Sequence, residues 1–400
     1  MTEMNSALYT IWIIAGVLIG YHLVLPILFF SIYKALPQKK HYGKYDNEPD
    51  YAIIVTAYEH INTLEQAVLS LLNLNYKNYL VYVVADKCDV SGLHFSDERV
   101  IILRPEQELR SNTRSHLYAI ERFKRRHEFL TIIDSDNLTH PDYLNELNLL
   151  FQQGFLAVQG VRKAKNLNSV YACLDAAQDI YYHFYDREIL FAIGSSATLA
   201  GSGMAFKANY YYDFLRKFDI KGAGFDKVLQ IEILKAGHRI AFAKNAFVYD
   251  EKTSKSDQLV KQRARWFNTW FKYAGLGFGL IGQSIFSFNR NQFLFGIMFL
   301  RPPLFLVLFS SLFCLILNFF ISLSLVYCWI LAFVLFFAAF MIALIHSRAD
   351  KRIYKSLVAI PVFIFYQILS LLKVRKANQI SVATQHYYTK PIDELAEKKS

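Results

Sequence analysis

Hydrophobic and polar positions divide the chain into regimes of different period. From residue 8 to residue 33 no Asp, Glu, Lys or Arg interrupts an apolar run. That length makes about 39 Å of helix at ~1.5 Å per residue, more than a hydrocarbon core of about 30 Å requires. The run predicts a tilted membrane anchor with Pro26 as a possible kink. It reads as uncleaved, because Met1 to Ser6 carries only Glu3 and the run ends in Lys34, Lys39 and Lys40 rather than in small residues. A second block, Phe293 to Ile345, holds one charge, Arg301, followed by Pro302 and Pro303. It predicts two spans within residues 304–345, separated at the polar break Asn318 to Ser324. The stretch 354–373 is apolar but basic at both ends, with Lys355 before it and Lys373, Arg375 and Lys376 after it. It predicts a helix lying in the membrane interface, with a further span as the alternative. The basic flanks Lys34 to Lys44 and Arg348 to Lys355 orient the chain by the positive-inside rule. The region between the two apolar blocks, and the tail 374–400, are then cytosolic, and the protein is expected in the cell (inner) membrane.

The middle region, 48–265, changes period. Short apolar runs at Tyr51–Ala57, Leu80–Ala85, Arg99–Leu103 and Phe129–Ile133 alternate with helix-length stretches at Ile61–Leu72 and Thr113–Arg126. This rhythm predicts an α/β domain with crossover helices. The runs are nearly continuous in apolar residues, as strands covered on both faces are, which argues for a mostly parallel sheet. Ligands of such sheets gather at the carboxyl ends of the strands, here beside Thr56–Glu59, Asp86–Asp89 and Asp134–Asp136. The aromatic and basic stretch 266–300 predicts interfacial helices leading to the second block.

Composition narrows the class. A chain that is 54% hydrophobic and 16% aromatic is too apolar to be wholly soluble. Its net charge of +11 clusters beside the apolar segments, so membrane lipid headgroups, not nucleic acid, are the expected partner of the basic residues. The four cysteines have no metal-ligand or disulfide spacing. Spans nearly free of polar and ionisable residues argue against a transporter or channel.

The residues with chemistry lie in the middle region. Asp134 and Asp136 flank Ser135 at a strand end, where two carboxylates can hold a divalent metal; a turn or a helix cap is the ordinary alternative. Asp86 closes Val83-Val84-Ala85-Asp86. Gly201-Ser202-Gly203-Met204 is a small-residue segment that lets backbone approach a bulky ligand. Asp226 follows Gly224 and Phe225 at the head of a helix reaching Lys235, with Glu232 further along as a fallback base. Gln262-Arg263-Ala264-Arg265-Trp266 completes the series.

Taken in order, these motifs resemble those of the membrane-embedded family 2 glycosyltransferases, a group that includes cellulose, hyaluronan and poly-N-acetylglucosamine synthases. The resemblance runs from about Tyr51 to Trp270. It implies a GT-A-type nucleotide-sugar-binding domain, with a mixed, mostly parallel sheet and helices on both faces, joined to transmembrane and interfacial helices. It further implies an inverting transfer of a hexosyl or N-acetylhexosaminyl group from a nucleotide-diphosphate sugar, with a UDP-sugar expected, to a polysaccharide or lipid-linked acceptor. By this resemblance Asp86, Asp134, Gln262, Arg265 and Trp266 bind the donor, and Asp134 and Asp136 hold Mg²⁺ or Mn²⁺. Gly201, Ser202, Gly203 and Met204 border the acceptor, and Asp226 is the catalytic base. Polysaccharide export proteins are possible partners. One departure stands out: Phe225 occupies the position where the family usually has Glu. The rival expectation is therefore a catalytically silent relative, binding nucleotide or serving as a partner subunit of an assembly system.

Overall fold

The computed structural model describes residues 6–37, 48–220 and 222–377. The basic positions Lys39, Lys40 and Lys44 and the tail from residue 378 onward lie outside the described residues.

Eight strands form one mixed sheet: β1 (Tyr51–Tyr58), β2 (Tyr79–Asp86), β3 (Val100–Leu103), β4 (Phe129–Asp134), β5 (Leu138–Thr139), β6 (Ala157–Ala164), β7 (Met204–Lys207) and β8 (Ile240–Asp250), in the order β3-β2-β1-β4-β7-β6-β8-β5. β3, β2, β1 and β4 are parallel. β7 lies antiparallel between β4 and β6, β8 runs parallel to β6, and β5 is antiparallel to β8. Successive side chains alternate between two apolar layers, as strand geometry requires. Tyr51, Ile53 and Val55 join Leu64, Val68 and Leu71 of helix Leu64–Leu72 and Leu144 and Leu147 of helix Tyr143–Phe151. Ala52, Ile54, Leu130 and Ile132 face the other way, onto Tyr181, Phe184, Tyr211 and Phe214. Each large side chain so buried contributes about 1.5–3 kcal/mol.

Two expected helices are shorter than their apolar pattern. The first begins at Leu64 rather than Ile61. The second covers Asn112–Ile120 instead of reaching Arg126, because tertiary contacts capture the chain beyond it. The Lys124 amide donates to Tyr82 Oη (2.9 Å), and the Phe123 ring lies 4.6 Å from that of Tyr82. The expected break between residues 265 and 266 falls inside one continuous helix, Ser256–Tyr273.

Among the described residues four helices are long and apolar enough to cross a membrane: Ser6–Ala35, Leu304–Ile321, Leu323–His346 and the segment Lys351–Leu372. The first packs on the hairpin formed by the next two. Trp12 Nε1 donates to Asn318 Oδ1 (3.0 Å), and a Cβ at Gly20 would stand 3.3 Å from the Trp329 ring. The segment ending at Leu372 lies along helix Ser256–Tyr273, where Phe363 buries against Leu174 and Leu259. Helices Gly275–Ser287 and Arg290–Phe299 lead from the sheet domain toward Leu304 and expose Phe278, Ile285, Phe286 and Phe288. The apolar layer holding Ala52 and Ile54 is continuous with Leu23 and Phe29 of the first helix and with Trp329 and Phe336 of the hairpin. Sheet domain and apolar helices share one core.

Candidate active site

The parallel register carries Asp86 and Asp134 to the same edge. Tyr58 of β1 is level with Asp86 on one side, and Thr56 is level with Asp134 on the other. Asp86 is buried, and its two carboxylate oxygens accept the amides of Leu109 (3.0 Å) and Arg110 (2.9 Å). It therefore fixes the loop that follows β3, over the end of β2.

Beyond Asp134 the chain turns tightly, with the Asn137 amide donating to the Asp134 carbonyl (2.9 Å). Asp134 is partly exposed and Asp136 nearly buried. The Gly201–Met204 segment packs under this turn. Ser202 Oγ donates to Asn137 Oδ1 (2.6 Å) and accepts the Asp134 amide (3.1 Å), while the Gly203 amide donates to the Ile132 carbonyl (2.9 Å). Gly201 and Gly203 have φ of +84° and +66°, a region costly for residues with a Cβ. Ser202 and Met204 are fully buried; Ser202 supports the acidic turn, while Met204 joins the apolar layer with Leu130 and Ile132. Lys165 Nζ donates to the Asp136 carbonyl (2.6 Å); burial lowers the Lys165 pKa, and the Asp136 charge opposes that.

Among the described residues no group of three or more His, Cys, Asp or Glu side chains has metal-binding geometry. Two carboxylates across one turn are nonetheless the donor set that suits Mg²⁺ or Mn²⁺. Such an ion takes one or two protein carboxylates and completes its shell with substrate phosphates and water.

Asp226 lies in the first turn of helix Phe225–Lys235. The cap residue is Gly224, and among the described residues no side chain caps the helix, so the carboxylate of Asp226 is not consumed as a cap; it lies 3.6 Å from Lys227. Glu232 instead pairs with Lys235 (2.9 Å) on the outer part of the helix. Phe225 is a core residue, edge-on to the His116 ring at 5.5 Å, which gives this departure from the family pattern a packing role. Gly224 pins the helix start. Its φ is +102°, and a Cβ there would meet Tyr273 at 2.6 Å and Thr269 at 2.7 Å. Gly224→Ala is expected to cost about 2–4 kcal/mol from the left-handed backbone and the overlap together, and to lower turnover by displacing Asp226. Thermal unfolding in detergent beside a transfer assay checks this; an unaltered melting temperature would refute it.

Helix Ser256–Tyr273 carries the last motif. Gln262 Oε1 accepts the Thr253 hydroxyl (3.1 Å), Trp266 is 40% exposed, and Arg265 is partly buried with its pKa lowered by that burial. The position between them proves structural. Arg263 is 1% exposed, is bonded to Asp175, and holds its guanidinium 4.3 Å from the Trp266 ring centroid. Arg263 belongs to a buried ionic layer that the sequence motifs do not reveal. At the ends of β6 and β8, Arg162 pairs with Asp250 and donates to the Ala200 carbonyl (2.9 Å). Lys252 bridges Asp250 (2.9 Å) and Asp179. Asp134 adds to the field at Arg162, which ties this layer to the acidic turn. The signal available in sequence is the run Arg162-Lys163-Ala164-Lys165 set against Asp250-Glu251-Lys252, basic and acidic residues closing two strands that become neighbours.

Lys227, next to Asp226 in the chain, helps to line a pocket of about 200 Å³ together with Asp186, Arg187, Gln230, Trp270 and Arg301, among others. Asp186 and Arg187 sit on a single π-helical turn, Phe184–Ile189, a local widening common at functional sites. Burial pulls the Arg187 pKa down to about 10. The register thus brings Asp86 and Asp134 to one edge, with Asp136 in the turn beyond; Trp266 lines the pocket, whereas Asp226 and Arg265 both lie outside its lining.

Comparison with known proteins bears on the family and the fold. Residues 49–269, more than half of the chain, match the family described as "Glycosyltransferase like family 2". The chain belongs to that family. No curated protein matches this glycosyltransferase-family chain in sequence. Among solved structures it is similar to the mannosyltransferase PcManGT from Pyrobaculum calidifontis, in complex with GDP-Man and Mn²⁺, at 15% identity and a TM-score of 0.58, covering 91% of this chain and 97% of that one. A second similar structure, S. aureus TarS, has 15% identity and a TM-score of 0.37, covering 58% of this chain and 40% of that one. The first likeness shows a GT-A-like fold for this glycosyltransferase family member.

Proposed function

We propose that the protein is an inverting, divalent-metal-dependent transferase acting at the cytosolic face of the membrane. It takes a sugar from a nucleoside-diphosphate donor, a UDP-sugar in the first instance, to a polysaccharide or lipid-linked acceptor. The observation that carries this reading is the single strand edge that holds Asp86 and Asp134, with Asp136 in the turn beyond it. In the step itself an acceptor hydroxyl oxygen bonds to the anomeric carbon, the bond from that carbon to the diphosphate breaks, and the diphosphate departs with the electron pair. Asp226 takes the hydroxyl proton. Asp134 and Asp136 would hold Mg²⁺ or Mn²⁺, which when bound neutralises charge on the diphosphate. The Mn²⁺ and GDP-Man in the similar mannosyltransferase favour this chemistry, and make GDP-sugars the second donor class to try.

The test is transfer from radiolabelled UDP- and GDP-sugars by the purified full chain with Mn²⁺ or Mg²⁺. Asp226→Asn is expected to lower kcat by roughly 10²–10⁴-fold, as loss of a general base does, while donor KM changes little. Full activity in that variant would remove Asp226 from the mechanism. Nucleotide binding without transfer or donor hydrolysis would favour a silent relative.

A further inference from the structure

The pocket beside Asp226 has an unbalanced hydrogen-bonding inventory. Arg187 Nη1, Gln230 Nε2, Arg263 Nε and Trp270 Nε1 are all buried, and none has a hydrogen-bond partner among the described residues. All four residues line this one pocket. Each unmet buried donor costs about 1–3 kcal/mol, and four orphans at one place call for a common explanation. Every one of them is a donor. Partners already hold the rest of three of these side chains: Arg187 Nε donates to the Thr198 carbonyl (3.1 Å), Gln230 Oε1 accepts the Leu199 amide (3.0 Å), and Arg263 is bonded to Asp175. The lining carries Arg187, Lys227, Arg263 and Arg301, of which Arg263, Arg301 and Lys227 have Asp175, Asp186 and Asp226 as carboxylate neighbours, so the unmet N–H groups and not net charge define what the pocket lacks. The missing occupant is therefore rich in acceptor oxygens, and with two of the four donors on guanidinium groups an anion suits it best.

The opposite wall is apolar. Met298, Phe299, Pro302 and Pro303 close it, and Pro303 is followed directly by the apolar helix Leu304–Ile321. Asp134, Asp136 and Asp86 are not among the lining residues, so the donor's diphosphate has a separate place at the strand ends. An anion that reaches this pocket along an apolar helix is one carried on a lipid.

We infer that the pocket binds the phosphate of a lipid-linked acceptor, with the four orphan donors on the phosphate oxygens and the lipid chain leaving past Pro302 and Pro303. This rests on the transferase reading above, since it names the acceptor of that site.

The experiment measures binding by calorimetry to the full chain in detergent, without donor. The probes are a soluble prenyl monophosphate, the matching prenol, and inorganic phosphate. The prenyl phosphate is expected to bind at least about tenfold more tightly than either other probe. Arg187→Gln and Trp270→Phe are each expected to weaken it by roughly tenfold, the scale of one lost hydrogen bond to a charged group. Trp270→Phe removes one N–H and keeps an aromatic ring, so it decides the matter if the Arg187 variant misfolds. Prenol binding as tightly as the phosphate, or unchanged affinity in Trp270→Phe, would overturn the inference. Inorganic phosphate matching the prenyl phosphate would overturn the lipid source. Asp136→Ala is expected to keep prenyl phosphate affinity while losing transfer, so binding without transfer in the wild type would count against the transferase reading and leave this pocket assigned.

Discussion

Asp136→Ala is expected to lower turnover about 10³-fold, near 4 kcal/mol of transition-state stabilisation at ~1.36 kcal/mol per factor of ten, with little change in unfolding temperature. The kinetic loss follows from the number of carboxylates available. Asp134 and Asp136 stand at the turn, Asp86 is committed to two loop amides, and Asp250 is paired with Arg162 and Lys252. Asp86 and Asp250 are thus already engaged and would not substitute for Asp136. The stability loss is small because the backbone contacts of the turn, from Lys165 to the Asp136 carbonyl and from Ser202 to the Asp134 amide, do not use the Asp136 side chain. Chelation should reproduce the loss in wild-type protein and added Mn²⁺ should reverse it, whereas the variant should respond weakly to Mn²⁺. A variant with wild-type kcat and wild-type metal response would remove the turn from the mechanism.

The largest expected effect on stability lies at Asp175. Burial raises the Asp175 pKa and the Arg263 guanidinium opposes that rise; both side chains are almost wholly enclosed. Asp175→Leu strands Arg263 without its counter-ion, and breaking one side of a buried pair costs about 3–5 kcal/mol. The Trp266 ring, which rests on that guanidinium, should loosen with it. Replacing both partners, as in Asp175→Leu with Arg263→Met, is expected to regain much of the loss, since two apolar side chains leave no buried charge. Denaturant titration of the three variants in detergent reads the comparison. A single variant less than about 1 kcal/mol below wild type would mean that water reaches Arg263 and that the pair is not sealed.

The two kinds of residue differ in how visible they are in sequence. The strands at Tyr51, Tyr79 and Phe129 were legible because burial on both faces leaves an unbroken apolar run. The ends of these strands then locate Asp86 and Asp134 without knowledge of the helices. The apolar helices were legible for a similar reason, since length and the absence of charge decide them. β7 was not legible: Met204–Lys207 is four residues long and looks like the continuation of a glycine turn, and its antiparallel place between β4 and β6 depends on hydrogen bonds to partners more than 40 residues away. The ionic layer was hidden as well. Arg162, Asp175, Asp179, Asp250 and Arg263 read singly as solvated charges, and only strand order and the course of helix Ser256–Tyr273 bring them together. Helix Asn112–Ile120 failed in the other direction, because local propensity continued past the point where Tyr82 and His127 hold the chain.

The continuous core from Ile54 to Trp329 limits how such an enzyme can be handled or can evolve. Leu23, Phe29 and Phe336 pack in the same apolar layer as the sheet, so excising residues 48–269 would strip that layer bare and yield a sticky fragment in place of a soluble catalyst. For the same reason recombination could not graft this sheet onto a foreign anchor without redesigning the seam.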